Sequence, residues 1–435
     1  MASTTVYPGL EPARWKYLDR IRTRAGPFTD GDAYNGSMVA EVMENMTILV
    51  IGAGGLGCEI LKNLALSGFK KIHVIDMDTI DISNLNRQFL FRKEDVGSYK
   101  AEVAARFVER RVNGVKITPH NKMIQDFDED FYMQFQLIVC GLDSIEARRW
   151  INATLINMVD EDVEDSYKPL IDGGTEGFKG QSRVIFPTVT SCIECQLDMH
   201  APRAAVPLCT LASIPRQPEH CIEWAHVIAW DAEKPFPTLD KDDPEHITWL
   251  YKKALLRAQE FNIPGVTYSL TQGVVKNIIP AIAATNSVIA ASCCNEALKI
   301  ASNCAPSLGY PDNNYMMYSG NDGIYTYTFK HEKKDDCPVC GNLARELQVD
   351  PAWTLRELVE SFATRPEAQL KKPSIRAESK TLYMQSPASL EEATRPNLDK
   401  TLLELGLGDG EEVGVTDPAF ATVSFKFKLK FRKPE

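Results

Sequence analysis

The chain has 435 residues, more than one hydrophobic core usually supports, and its 44% hydrophobic and 25% charged content is that of a packed protein with several domains. A formal net charge of -11, from 59 acidic against 48 basic residues, argues against a general nucleic-acid binder, which needs clustered excess Lys and Arg, and suits basic protein partners. No secretory leader is expected from the first residues, and the most apolar stretch, Ile278 to Ile300, contains Pro280, Asn286, Asn295 and Glu296, so no membrane span is expected and the location should be cytoplasm and nucleus.

Residues 1–45 read as an N-terminal helix around Trp15 to Arg24 and a polar, loose linker through Gly26-Pro27 and Gly31 to Gly36. Residues 46–201 then alternate: strand Thr47 to Ile51, a glycine turn, helix Cys58 to Leu66, strand Ile72 to Ile75, helix Lys100 to Arg111 and strand Leu137 to Cys140. This order marks an α/β, Rossmann-like parallel sheet covered by helices. Residues 202–270 break the pattern with Pro202, Pro207, Pro215 and Pro218 and a helical stretch from Glu245 to Phe261, and read as a mostly helical inserted domain. Residues 271–341 return to the first sheet through an apolar helix after Gln272, with strands between Met316 and Phe329.

Residues 346–435 read β-α-β-β-α-β-β: strands at Glu346 to Val349, Ser374 to Ala377, Thr381 to Gln385, Glu412 to Val415 and Val423 to Phe431, with helices at Thr354 to Thr364 and Pro396 to Leu405. In the last strand Val423, Phe425, Phe427, Leu429 and Phe431 alternate with Ser424, Lys426, Lys428 and Lys430, so one face is buried. The order resembles a ubiquitin-like β-grasp domain.

The apolar run Ile48 to Ile51 leads into Gly52-Ala53-Gly54-Gly55-Leu56-Gly57, a GxGxxG where a strand meets a helix, whose amides and helix dipole suit phosphate oxygens. The glycines alone do not separate NAD from ATP, and Asp76 at the end of the second strand suits ribose hydroxyls in both. The residues beyond that strand favour a nucleoside triphosphate: Asp76-Met77-Asp78, Ser83-Asn84-Leu85-Asn86-Arg87-Gln88-Phe89 and Lys100. Arg87 and Lys100 match charge developing on transferring phosphates, and Asp143, closing a later strand, is placed for magnesium.

Two CxxC pairs, Cys192-Ile193-Glu194-Cys195 and Cys337-Pro338-Val339-Cys340-Gly341, can form one tetrahedral thiolate site, favouring structural zinc over redox chemistry. Cys58, Cys140, Cys293, Cys294 and Cys304 lie in apolar segments and read as core. Cys209 and Cys221, in the proline-punctuated insert, remain as candidate nucleophiles, and thiol chemistry alone does not choose between them.

Val50 to Arg92 resembles the adenylation domain of ubiquitin-like modifier-activating enzymes and their bacterial sulfur-carrier relatives. The resemblance implies that Asp76 binds ribose, that Asn84, Arg87, Gln88 and Lys100 bind phosphates, and that Asp143 binds magnesium. The implied reaction is attack of a modifier's C-terminal carboxylate on the α-phosphate of ATP. Val206-Pro207-Leu208-Cys209-Thr210-Leu211-Ala212-Ser213-Ile214-Pro215-Arg216 is similar to the family's transthioesterification motif, which selects Cys209. Gly173-Gly174-Thr175-Glu176-Gly177-Phe178-Lys179-Gly180 and Pro218-Glu219-His220-Cys221 resemble the neddylation branch, in which Arg183 falls where a modifier-discriminating arginine is expected, against the plainer reading of an arginine on a sheet edge. With one adenylation half in the chain, the resemblance implies a heterodimer with an inactive-half subunit, and a conjugating enzyme recruited by the C-terminal domain. The rival readings are the SUMO-activating catalytic subunit, a noncatalytic scaffold on an adenylation fold, and a dehydrogenase if the glycine turn is taken alone.

Overall fold

The computed structural model describes residues 14–29, 34–200, 215–241, 243–275, 281–309, 313–341, 344–365, 368–377, 380–420 and 424–432; Cys209 and Val423 lie outside them. Two compact units result, one of residues 1–201 with 281–435 and one of Pro202–Pro280. The helices in chain order are α1 Asp19–Arg22, α2 Gly36–Asn45, α3 Gly55–Ser67, α4 Lys100–Arg111, α5 Glu129–Met133, α6 Ile145–Asn157, α7 Pro218–Trp224, α8 Trp230–Glu233, α9 Pro244–Glu260, α10 Tyr268–Val275, α11 Ala283–Ser302, α12 Leu355–Thr364 and α13 Ala388–Thr394.

The first unit holds β1 Thr47–Ile51, β2 Lys71–Ile75, β3 Lys116–His120, β4 Leu137–Cys140, β5 Leu170–Glu176, β6 Lys179–Ile185, β7 Tyr315–Ser319 and β8 Tyr325–Phe329 in one sheet of order β3-β2-β1-β4-β5-β6-β7-β8. Pairing is parallel from β3 to β5 and antiparallel from there to β8. Both faces are buried, which is why β1 and β4 read as unbroken apolar runs. Leu49, Ile51, Ile138 and Cys140 face one core, with α6, while Ile48, Val50, Leu137 and Val139 face the other, with α3, α4 and α11. The chain leaves β1 toward β2 and β3, and returns to β4 on the other side, so the crevice at the carboxyl ends of β1 and β4 is the topological switch point.

At the N-terminal side the expected helix at Trp15 to Arg24 is reduced to α1, and the linker expected to be loose contains α2, capped by Asn35. Trp15 Nε1 donates to the Leu66 carbonyl at 2.9 Å and Arg22 Nη1 to that of Ser67 at 3.2 Å, satisfying acceptors at the C-terminal end of α3.

The C-terminal part of the unit is a five-stranded sheet of order β11-β10-β12-β13-β9, with β9 Arg345–Val349, β10 Ser374–Ala377, β11 Lys380–Tyr383, β12 Glu412–Thr416 and β13 Ser424–Phe431. Along β13 Phe425, Phe427 and Leu429 are buried, and Phe362 of α12 packs on Phe427 with ring centroids 5.2 Å apart. The helix expected at Pro396 to Leu405 is instead α13 followed by turns. Backbone groups there bond outward: Leu355 N to Lys400 O, Arg356 N to Leu398 O and Leu402 N to Trp353 O, each 2.9 Å, which removes them from any i to i-4 ladder.

In the second unit α7, α9 and α10 surround a core of Cys221, Ile222, Ala225, Trp230, Ile247, Leu250, Ala254 and Val275. α10 adds Val275 to this core, and the compact unit spans Pro202–Pro280.

Candidate functional site

The glycine turn joins β1 to α3. Gly52 has φ +100°, and a Cβ there would stand 2.7 Å from the Gly141 carbonyl oxygen, while a Cβ on Gly57 would collide with the carbonyl of Gly52. Only glycine lets the backbone turn this tightly and present its amides at the start of α3. Gly54 and Gly55 are flanked by side chains from the turn that follows the 3-10 segment Ile82–Asn84: a Cβ on Gly54 would be 3.8 Å from Gln88 Nε2, and one on Gly55 would be 3.4 Å from Arg87 Cγ. Gln88 is 3% exposed, and one end of its amide is buried without a hydrogen-bond partner, a group placed to meet a bound polar ligand.

Asp76 follows β2 and is tied to the turn, its Oδ2 accepting from Ala53 N at 2.7 Å and its Oδ1 from Asp78 N at 2.9 Å. Burial pushes the Asp76 carboxyl above the ordinary aspartate range, although the two amides and Lys100 pull the other way. Lys100 opens α4, is 8% exposed, and places Nζ 2.7 Å from Asp78 Oδ2. Asn84 is held by its own turn, its Oδ1 accepting from Asp81 N at 3.0 Å. Arg87 reaches the Ser83 carbonyl at 3.3 Å and Asn86 Oδ1 at 3.0 Å. Asp143 stands exposed past the end of β4, immediately before the Ser144 cap of α6. The structure therefore gathers Gly52, Gly54, Gly55, Gly57, Asp76, Asp78, Arg87, Gln88 and Lys100 at one turn. Asn286 of α11 joins them: its Nδ2 is 2.5 Å from where a Gly55 Cβ would be, and its Oδ1 accepts from Thr175 at 2.7 Å. No motif marks Asn286 in the sequence.

Cys192, Cys195, Cys337 and Cys340 converge, their ligand atoms all within 4.8 Å of one another. The sulfur separations of 3.9, 3.6 and 3.4 Å approach the edge of a tetrahedron with metal–sulfur bonds of about 2.3 Å. Hydrogen bonds from Cys192 hold Cys195 and Cys337 below the ordinary thiol range, while burial pushes Cys192 above it. Four buried sulfurs brought this close together, with no other chemistry to occupy them, are a donor set that fits a cation. Lys334 N donates to Cys195 Sγ at 3.5 Å and Asn152 Oδ1 accepts from Ile193 N at 3.1 Å, fixing the knuckles around the sulfurs.

Of the two candidate nucleophiles, Cys209 lies outside the described residues. Cys221 has 0% exposure in the core of the insert, and burial raises its thiol, so it is a core residue. Cys58, Cys140, Cys293 and Cys294 are buried and Cys304 half-buried.

Arg183 is not on a sheet edge. It lies on β6, between β5 and β7, with 0% exposure, paired with Asp172 at 2.9 Å and donating to Gln196 Oε1 at 2.5 Å. Its side chain has no exposed surface with which to meet an arriving tail directly. Arg148 binds the other oxygen of Asp172 at 2.9 Å, leaving two guanidinium groups on one carboxylate. Burial alone would raise the Asp172 carboxyl, but the two arginines more than offset it and hold it below the ordinary range.

Residues 33–339 match the model of the ThiF family, and residues 348–431 match that of the E2 binding domain. The chain is 52% identical to the NEDD8-activating enzyme E1 catalytic subunit of Dictyostelium discoideum, over 97% of each chain, and 51% identical to that of Drosophila melanogaster, again over 97% of each. Its likeness to SUMO-activating enzyme subunit 2 of Dictyostelium discoideum is 44% identity over 44% of this chain and 28% of the other.

Proposed function

The chain belongs to the ThiF family and, within it, to the catalytic subunits of NEDD8-activating E1 enzymes, and from that premise we propose how its residues share the work. ATP lies along the Gly52 to Gly57 turn, with ribose on Asp76 and phosphates among Asn84, Arg87, Gln88 and Lys100, Asp78 holding Lys100 ready. The C-terminal carboxylate of NEDD8 attacks the α-phosphorus; the α–β anhydride bond breaks, giving acyl-adenylate and pyrophosphate. The Cys209 thiolate then attacks the acyl carbon, AMP leaves, and a thioester remains. A conjugating enzyme held by the C-terminal domain takes the acyl group onto its own cysteine and Cys209 recovers its thiol. Arg87 and Lys100 offset charge on the departing pyrophosphate. Asp143 would hold magnesium, which usually takes one or two carboxylates and completes its shell with phosphates. A separate inactive-half subunit completes the enzyme.

The observation that carries this reading is similarity over nearly the whole chain, through both family models, to relatives named for this activity. The SUMO reading is weaker, since likeness to that relative stops at 28% of its length. The scaffold reading leaves the poised Lys100 and Asp78 pair without a task. Non-reducing charging assays with magnesium-ATP, the partner subunit and separate NEDD8, ubiquitin and SUMO test the proposal. A thiol-labile adduct with NEDD8, lost in Cys209→Ala, is expected. Discrimination by Arg183 would act through the net positive charge of the Arg148, Asp172 and Arg183 group, so Arg183→Gln should admit ubiquitin; if ubiquitin is still refused, that part fails.

The four cysteines hold structural zinc in this reading. One equivalent of zinc should accompany the purified chain and be lost in Cys337→Ser, with melting lowered by about 10 °C, since such sites contribute folding energy directly. A metal-free wild type that melts no lower than the zinc-loaded protein would refute it.

A further inference from the structure

Arg149 belongs to neither the glycine turn nor the sulfur cluster, yet only 1% of it is exposed. Three parts of the first unit meet on its guanidinium. Nε and Nη2 face the two oxygens of Glu194, Nη2 at 3.2 Å, and Glu194, also 1% exposed, lies between Cys192 and Cys195. Nη1 donates to the Gln369 carbonyl at 3.0 Å, and the guanidinium carbon is 4.5 Å from the Phe420 ring centroid and 5.6 Å from that of Phe425. Arg149 itself comes from α6, against the main sheet. Two lesser contacts cross the same junction: Gln369 Nε2 to the Leu197 carbonyl at 3.4 Å and the exposed Lys371 to Glu146 pair.

Arginine suits this place because its fork matches a carboxylate while its faces stack on aromatic rings. A pair buried this deeply adds little net stability over apolar packing of the same volume, but its directional bonds admit one arrangement of the groups that share it. We infer that Arg149 is a positioning residue: with Glu194 it sets the orientation of the C-terminal domain on the adenylation domain, and so the orientation of the conjugating enzyme that domain recruits. The inference rests on the reading of residues 348–431 as the recruiting surface.

The test uses the full chain with its partner subunit. Arg149→Met alone would strand a buried carboxylate, so the informative variant is Arg149→Met with Glu194→Met, which removes both charges together; Arg149→Lys is its conservative companion. In the double variant, hydrogen exchange in residues 368–372 and 417–420 should quicken at least fivefold. NEDD8 charging of Cys209 should stay within twofold of wild type, while single-turnover transfer to the conjugating enzyme changes at least fivefold, with Arg149→Lys in between. A fall marks the docked orientation as the transferring one and a rise marks it as a holding one; both are consequences of orientation control. Transfer within twofold of wild type, or charging altered in parallel with transfer, overturns the inference. Photo-crosslinking of the conjugating enzyme to the wild-type chain separates the two readings. Crosslinks outside residues 348–431 sink the recruitment reading and this inference with it, whereas crosslinks inside that range with an inert double variant sink the Arg149 role alone.

Discussion

Replacing Lys100 with alanine should slow adenylate formation by more than a hundredfold and leave the fold intact. The lysine opens α4 with only 8% of the residue exposed and its ammonium already 2.7 Å from Asp78 Oδ2, so its charge is in place before any phosphate arrives. A preorganised cation aimed at developing phosphate charge is worth about 3 kcal/mol, which corresponds to somewhat over a hundredfold in rate. Stability should change little because the Asp78 carboxylate left behind is exposed and solvated. The measurement is modifier-dependent exchange of pyrophosphate into ATP, with thermal melting as the control for folding. Exchange within a fewfold of wild type would remove Lys100 from the phosphate site.

Asp172→Asn should destabilise the protein by about 3 to 5 kcal/mol at neutral pH, because it leaves the guanidinium groups of Arg148 and Arg183 buried without their shared carboxylate. The pH dependence has a definite sign. Since the carboxyl is held below its ordinary value in the folded chain, its contribution is fully present above the unfolded value near 3.8 and is lost as pH falls through the lower folded value. Wild type and variant should therefore differ most at pH 7 and converge below pH 3.8, as read by denaturant midpoints across that range. A gap that is small at pH 7, or that widens in acid, would contradict the assignment.

Much of the nucleotide turn is legible in the sequence because each feature there is local. An apolar run ends at glycines, Asp76 comes directly after the next strand, and Lys100 opens a helix with clear periodicity. The two CxxC pairs advertise themselves by spacing, although 145 positions separate Cys192 from Cys337. Other parts are silent for physical reasons. Arg148 through Ile156 of α6 are all buried, so the helix has no polar face and no period to read. β5 and β6 run through Gly173 and Gly180, which look like loop residues until the approach of Ile289 and Cys293 from α11 explains why side chains are excluded. The turns at residues 395–405 mimic a helix in composition, but their backbone is bonded to the start of α12. Nothing in the sequence marks Asp172 and Glu194 as partners, and only the fold brings them to Arg183 and Arg149.

Whether this chain carries NEDD8 as a thioester on Cys209 is read by a non-reducing charging assay of wild type and Cys209→Ala, with the partner subunit, magnesium-ATP and each modifier verified active. A thiol-labile adduct with NEDD8 should form in the wild type and disappear in the variant, while modifier-dependent pyrophosphate exchange survives the substitution. A thiol-labile adduct that persists in Cys209→Ala would contradict the nucleophile, and no adduct with any modifier would contradict the enzyme.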